Sequence, residues 1–159
     1  MKIAVVSDTH SRLIPAQVVK ALSCADLIIH AGDICDEAMF KELTGLSEVA
    51  AVCGNMDSAS LRKKLPERLI LQCEGVSIGV MHGDGAPDHV LAHVQEAFAG
   101  EQVDAVVFGH SHEPFHQKIG GVLYMNPGSP NDEIFAPYCS YGMIEVNGGK
   151  MTSTIIKVG

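Results

Sequence analysis

Five runs of apolar, β-prone residues in this chain each stop at a cluster of Asp, His, Asn, Gly or Ser. Ile3–Val6 leads into Ser7-Asp8-Thr9-His10, Leu27–Ile29 into His30-Ala31-Gly32-Asp33, and Val49–Cys53 into Gly54-Asn55-Met56-Asp57. Val76–Met81 leads into His82-Gly83-Asp84, and Val103–Phe108 into Gly109-His110-Ser111-His112. Parallel strands bring their carboxyl ends to one edge of a sheet, where open α/β folds hold their ligands. The pattern therefore constrains the chain to gather carboxylates, imidazoles and an amide at one place, a donor set that suits two adjacent divalent metals.

The rhythm of the first half is strand, helix, strand. Strand 2–6 precedes a helix that begins near Pro15 and carries Ala16, Val18, Val19 and Leu22 on one face; proline suits a first helical turn. Strand 26–31 leads to a helix at 37–43, and strand 48–53 to a short helix at 58–65. Such alternation predicts parallel strands joined by right-handed crossovers. Later segments change character. Runs 68–73 and 76–81 flank Glu74-Gly75 as a hairpin, and 87–99 has the apolar stripe Val90, Leu91, Val94, Phe98 of a helix. Gly120-Gly121 and Asn147-Gly148-Gly149 are further hairpin turns, and 126–137 reads as loop. The expected fold is α/β: two facing mixed β-sheets flanked by helices, a four-layer α/β/β/α sandwich within a single domain spanning 1–159. One large mixed sheet is the alternative that the antiparallel tail permits.

At 159 residues the chain can bury a core without disulfide staples. Its five cysteines form no C-x-x-C pair, which reads as reduced thiols in a cytoplasmic protein. Met1-Lys2-Ile3 runs straight into a strand, so no export signal is expected. No apolar run approaches the ~20 residues of a membrane span. A net charge of −8 argues against a nucleic-acid partner, although two bound divalent cations would make the field at a site locally positive.

Taken singly, each cluster has an ordinary explanation as turn chemistry. Asp8 and His10, two apart at a strand exit, can reach one cation; Gly32 lets the chain turn so that Asp33 offers two oxygens. Asn55 offers a neutral carbonyl to a metal and an amide to a phosphoryl oxygen. His110 and His112, at i and i+2, either flank one metal or serve two. Five such clusters at five strand ends make the joint case for a metal site.

The ordered set Asp8-x-His10, Gly32-Asp33, Gly54-Asn55-x-Asp57, His82-Gly83 and Gly109-His110-Ser111-His112 resembles the motif blocks of the calcineurin-like metallophosphoesterases. Asn126-Pro127-Gly128-Ser129 and the short chain resemble the small YfcE-type phosphodiesterases among them. The resemblance implies a dinuclear-metal phosphodiesterase whose small phosphodiester substrate is attacked by a hydroxide bridging the metals. It implies Asp8, His10, Asp33 and His112 around one ion and Asp33, Asn55, His82 and His110 around the other, with Asp33 bridging. Asp33, Asn55 and His82 are then the residues nearest the chemistry. Mn²⁺ heads the candidate metals, with Ni²⁺, Fe²⁺, Co²⁺ and Zn²⁺ compatible with the same donors. A homo-oligomer is expected by the same analogy.

Departures from the family pattern matter. Met56 stands where many members carry the His that serves as general acid, Glu37 stands for an Arg, and Asp84 for a His. Activated diesters, or leaving groups protonated by water, are expected to react best. His89 and His116 are candidate replacement acids that nothing in the sequence places near the metals. His89 and His93 read as a solvated helix face, Cys35 and Cys53 as packing, His30 as a supporting or core histidine, and Asp57 as a group that orients a ligand histidine. A phosphomonoesterase and a catalytically weak protein-binding scaffold of the same fold are the competing readings.

Overall fold

In the computed structural model, which describes residues 1–159, strand β1 (Lys2–Val6) is buried on both faces after its first residue. Ile3 and Val5 point to one side, Ala4 and Val6 to the other, so this strand needs a layer above and a layer below. Ile3 and Val5 join Ile29, Ile78, Val107 and Ile144 in a core that fills the space between two sheets. Ala4 and Val6 pack with Val18, Leu22 and Leu43 of two helices, α1 (Ala16–Ser23) and α2 (Glu37–Leu46).

β1 lies at the centre of the first sheet. It runs parallel to β2 (Leu27–His30), which runs parallel to β3 (Glu48–Ala51). The short α3 (Ala59–Lys64), capped by the Ser58 hydroxyl, follows β3. β4 (Arg68–Cys73) and β5 (Val76–Met81) form the expected hairpin, and β5 pairs in parallel with β6 (Ala105–Val107) after α4 (Val90–Ala97). β7 (Phe115–Ile119) and β8 (Val122–Asn126) form a second hairpin and β9 (Ser140–Asn147) and β10 (Lys150–Lys157) a third. The strand orders are β10-β9-β1-β2-β3 and β4-β5-β6-β8-β7. Val90, Val94 and Phe98 pack on Val106, Phe108 and Tyr124 and make the fourth layer. Two sheets therefore face each other with helices outside, and the single-sheet alternative is excluded.

Element ends differ from the sequence reading for local reasons. The helix expected over 87–99 begins only at Val90, because the His89 N–H is held by Ala86 O in a preceding turn. The strand expected over 103–108 is regular only at Ala105–Val107, although Asp104 and Phe108 still bond Ser77 O and Met125 O. No helix is long and apolar enough to cross a membrane, and all five cysteines are free.

Candidate metal centre

The carboxyl ends of β1, β2 and β3 from one sheet and of β5 and β6 from the other deliver their polar clusters to one rim of the sandwich. The chain turns sharply there. Asp8, His10, Asp33, His110 and His112 all adopt left-handed backbone, with φ of 56°, 47°, 59°, 71° and 57°. Non-glycine residues pay about 1–3 kcal/mol each for such conformations, and surrounding structure must hold them. Here the loop after β1 is zipped to the loop after β2: Asp8 N donates to Gly32 O, His10 N to Asp33 O and Ser11 N to Ile34 O, at 3.0–3.1 Å. Glycines give the clearance. A Cβ on Gly54 would overlap Asp33 Oδ1, and one on Gly109 would overlap the Ser7 hydroxyl.

Asp8 is the hub of this rim. Its Oδ2 accepts from the Ser7 hydroxyl at 2.6 Å and from the His110 N–H at 3.1 Å. Its Oδ1 is fully buried, has no hydrogen-bond partner, and is faced by His112 Nε2 at 3.3 Å, His10 Nε2 at 3.8 Å and His82 Nε2 at 3.9 Å. Asp33 Oδ2 lies 3.4 Å from His82 Nε2 and 3.7 Å from His10 Nε2, while its Oδ1 accepts the Met56 N–H at 2.8 Å. Asn55 Oδ1 is 3.1 Å from both His82 Nε2 and His110 Nδ1. Two sets of donors are compact enough to grip a cation: Asp8, His10, His112, and Asp8, Asp33, His82. Asp33 faces a histidine of each set, and Asn55 with His110 extends the second. All seven side chains singled out in the sequence meet here.

The family model of the calcineurin-like phosphoesterase superfamily domain matches residues 1–149. The chain belongs to the calcineurin-like phosphoesterase superfamily. A probable metallophosphoesterase of Methanocaldococcus jannaschii is 38% identical to it over 137 residues, covering 82% of this chain and 68% of the relative. A phosphodiesterase of the same organism is 26% identical, covering 80% and 83%. The fold is shared with Vps29 of Entamoeba histolytica complexed with Zn²⁺, at 24% identity, a TM-score of 0.76 and 99% coverage of both chains.

Metal fit in this phosphoesterase can be judged from its imidazole hydrogen bonds. His82 Nδ1 donates to Ala31 O at 2.7 Å, His110 Nε2 donates to Gly85 O at 2.9 Å, and His112 Nδ1 donates to Asp132 Oδ2. In the neutral rings the remaining nitrogen then turns a lone pair toward carboxylate or amide oxygen. A convergence of lone pairs and anions around a buried, unpartnered Asp8 Oδ1 is what a cation satisfies. The titration behaviour has the same origin. Burial opposes charge on His112, yet the adjacent Asp8 carboxylate and the bonded, charged Asp132 raise its pKa to about 9. His82 is likewise raised by Asp33 and Asp8 against burial, whereas burial wins at His10 and lowers it. Burial also opposes charge on Asp33, but the neighbouring His82 imidazole and the bond from the Met56 N–H keep its carboxyl below its ordinary value. The residues fit a pair of divalent cations.

One supporting carboxylate departs from its expected role, and a second was not singled out from the sequence at all. Asp57 bonds no candidate ligand histidine; it accepts the backbone N–H groups of Gly54, Cys35 and Asp33 at 2.6, 2.6 and 3.2 Å and ties two candidate donor loops together. The expectation that it orients a histidine is corrected, because it lies three residues after Gly54 in the same turn and its oxygens are taken by amides. Asp132 does orient one, His112, and the sequence reading missed it. It sits in the loop after β8, and only its fully buried position reveals it. His30 is both core and support: fully buried, it accepts the Gly32 N–H at 3.2 Å and bonds the Thr9 hydroxyl at 3.0 Å.

Other candidates lie elsewhere. His116 bonds Ser153 at 2.8 Å and His89 stands beside Asp88, neither in the donor sets. His93 bonds Asp84 Oδ1 at 2.6 Å. Asp36 caps α2 by accepting the Met39 N–H, and Met56 is 59% exposed. Cys35 does more than pack, since its Sγ lies 3.4 Å from His10 Nδ1.

Proposed function

We propose that this chain is a dinuclear-metal-dependent phosphodiesterase built as one domain. Asp8, His10, Asp33 and His112 would hold one divalent cation and Asp33, Asn55, His82 and His110 the other. The observation that carries the reading is Asp8 Oδ1, buried, without a hydrogen bond, and faced by three imidazole Nε2 atoms within 3.9 Å. Such a cation pair supplies Lewis acidity, polarising phosphoryl oxygens and lowering the pKa of a bound water toward ~7.

The chain's own residues do the rest. Asp57 and the paired loops keep the donors in place without rearrangement, which is the preorganisation that electrostatic catalysis needs. Asn55 turns Oδ1 toward His82 and His110, leaving its Nδ2 to donate to a phosphoryl oxygen. No side chain at Met56 or Asp36 supplies a proton to the departing alcohol, so leaving groups of low pKa react fastest. Preference for a diester is supported by that missing acid and by the relative that is a phosphodiesterase. Mn²⁺ is the proposed activator and the cytoplasm the proposed compartment.

Metal-stripped protein should hydrolyse bis-p-nitrophenyl phosphate negligibly and regain activity with Mn²⁺, and Asp33→Ala should abolish the regained activity. Hydrolysis that ignores both chelation and Asp33→Ala overturns the proposal. Stoichiometric metal binding without turnover of any phosphoester would instead indicate the scaffold role.

A further inference from the structure

Beside the metal-site rim lies a cavity of about 290 Å³ whose inner wall is Asn55 and His82. Its lining also carries Arg62, Glu67 and Asp84, and Met81 and Cys53 are its hydrophobic residues. Arg62 is held in place from behind: Nε donates to Asp57 O at 3.0 Å and Nη2 donates to Asn55 O. The guanidinium is thus fixed to the backbone of a proposed metal ligand, with Nη1 left over. Asp84 is engaged by His93. Neither Arg62 nor Glu67 is in an ion pair, although Lys64 and Arg68 nearby both are.

A fixed hydrogen-bond donor and a free carboxylate lining one small cavity match a hydroxyl group, which accepts from one and donates to the other. Two neighbouring hydroxyls use both groups fully. An alkyl chain offers no partner to Arg62 or Glu67, and a second phosphate meets two carboxylates against one guanidinium. We propose that this cavity receives one ester alcohol of the substrate and selects an alcohol bearing a vicinal diol through Arg62 and Glu67. The proposal rests on the phosphodiesterase reading and names the class of alcohol that reading left open.

The test compares pairs of p-nitrophenyl phosphodiesters with Mn²⁺-loaded protein. One pair differs in the second ester, 2,3-dihydroxypropyl against propyl; the other is uridine 5′ against deoxyuridine 5′. A preference of about tenfold in kcat/KM for the diol is expected in at least one pair, the worth of one or two hydrogen bonds. The first pair reports a small polyol, the second a ribose. Glu67→Ala and Arg62→Gln should each bring that ratio toward one. A wild-type ratio within about twofold in both pairs, or a ratio that survives both substitutions, overturns the proposal. If neither diester is cleaved, the phosphodiesterase reading fails by itself. Calorimetric binding of glycerol phosphate against propyl phosphate to the same protein and variants then decides the cavity's preference by the same criteria.

Discussion

Single carboxylates organise this site as much as the proposed ligands do. Asp132, fully buried, receives the His112 Nδ1–H with one oxygen and the N–H groups of Ile134 and Phe135 with the other, at 3.0 and 3.1 Å. Asp132→Asn removes the charge that fixes the ring while nearly preserving volume. It should weaken Mn²⁺ binding by about 10–100-fold in calorimetry. Gly54→Ala should act more severely, because the added methyl overlaps Asp33 Oδ1 and the Asp33 N–H depends on the same turn. Because Asp33 stands in both proposed donor sets, the expected outcome of this substitution is weakened binding of both metal equivalents, read by titration of the stripped protein, with the fold retained by circular dichroism. His82, Asn55 and the Asp-x-His pair were legible from residue type and position at strand ends. Asp132 was not, since an Asp in a Pro- and Asn-rich stretch looks like any turn residue until the loop is seen crossing the rim.

At the scale of elements, β1, β2, β5 and β6, which lead into most of the donors, are almost wholly buried, while the edge strand β3 before Asn55 is only partly so. α4 is different: it covers the second sheet with Val90, Val94 and Phe98 and carries none of the donors. Val94→Ala should therefore cost about 1–3 kcal/mol of stability, seen as a lower urea midpoint, with metal stoichiometry unchanged. Leu43→Ala on α2 should cost about 2–5 kcal/mol, because Leu43 is fully buried beneath the sheet that holds Asp8 and Asp33. Strand and helix existence was readable from periodicity. Element ends were not, because they depend on which loop amides find partners, as the turn before Val90 shows.

For the molecule as a whole, pH and metal act on stability through the same buried groups. Burial lowers the His30 pKa to about 3, outweighing Asp8 and Asp33, which raise it. The unfolded chain then binds more protons than the folded one between about pH 3 and pH 6.5, so stability falls as pH falls through that window. The effect approaches ~1.4 kcal/mol per pH unit. Urea midpoints at pH 6.5 and pH 5 should show it, and His30→Gln should flatten the dependence over that interval. Divalent metal should raise the thermal midpoint, with about 2.7 kcal/mol added when free metal reaches ~100 times its Kd.

By itself the sequence determined that apolar strands end in metal-binding residue types, and that their alternation with helices must set several of those ends along one edge. Which runs become strands and which become helices follows from local chemistry repeated along the chain. Only the tertiary structure decided that the second sheet presents His82, His110 and His112 to the same rim as Asp8 and Asp33. It also decided that Asp132 arrives there from a distant loop. Such meetings join residues a hundred positions apart, as with Asp8 and His112, and depend on how two faces pack across a shared core. No local pattern encodes that packing.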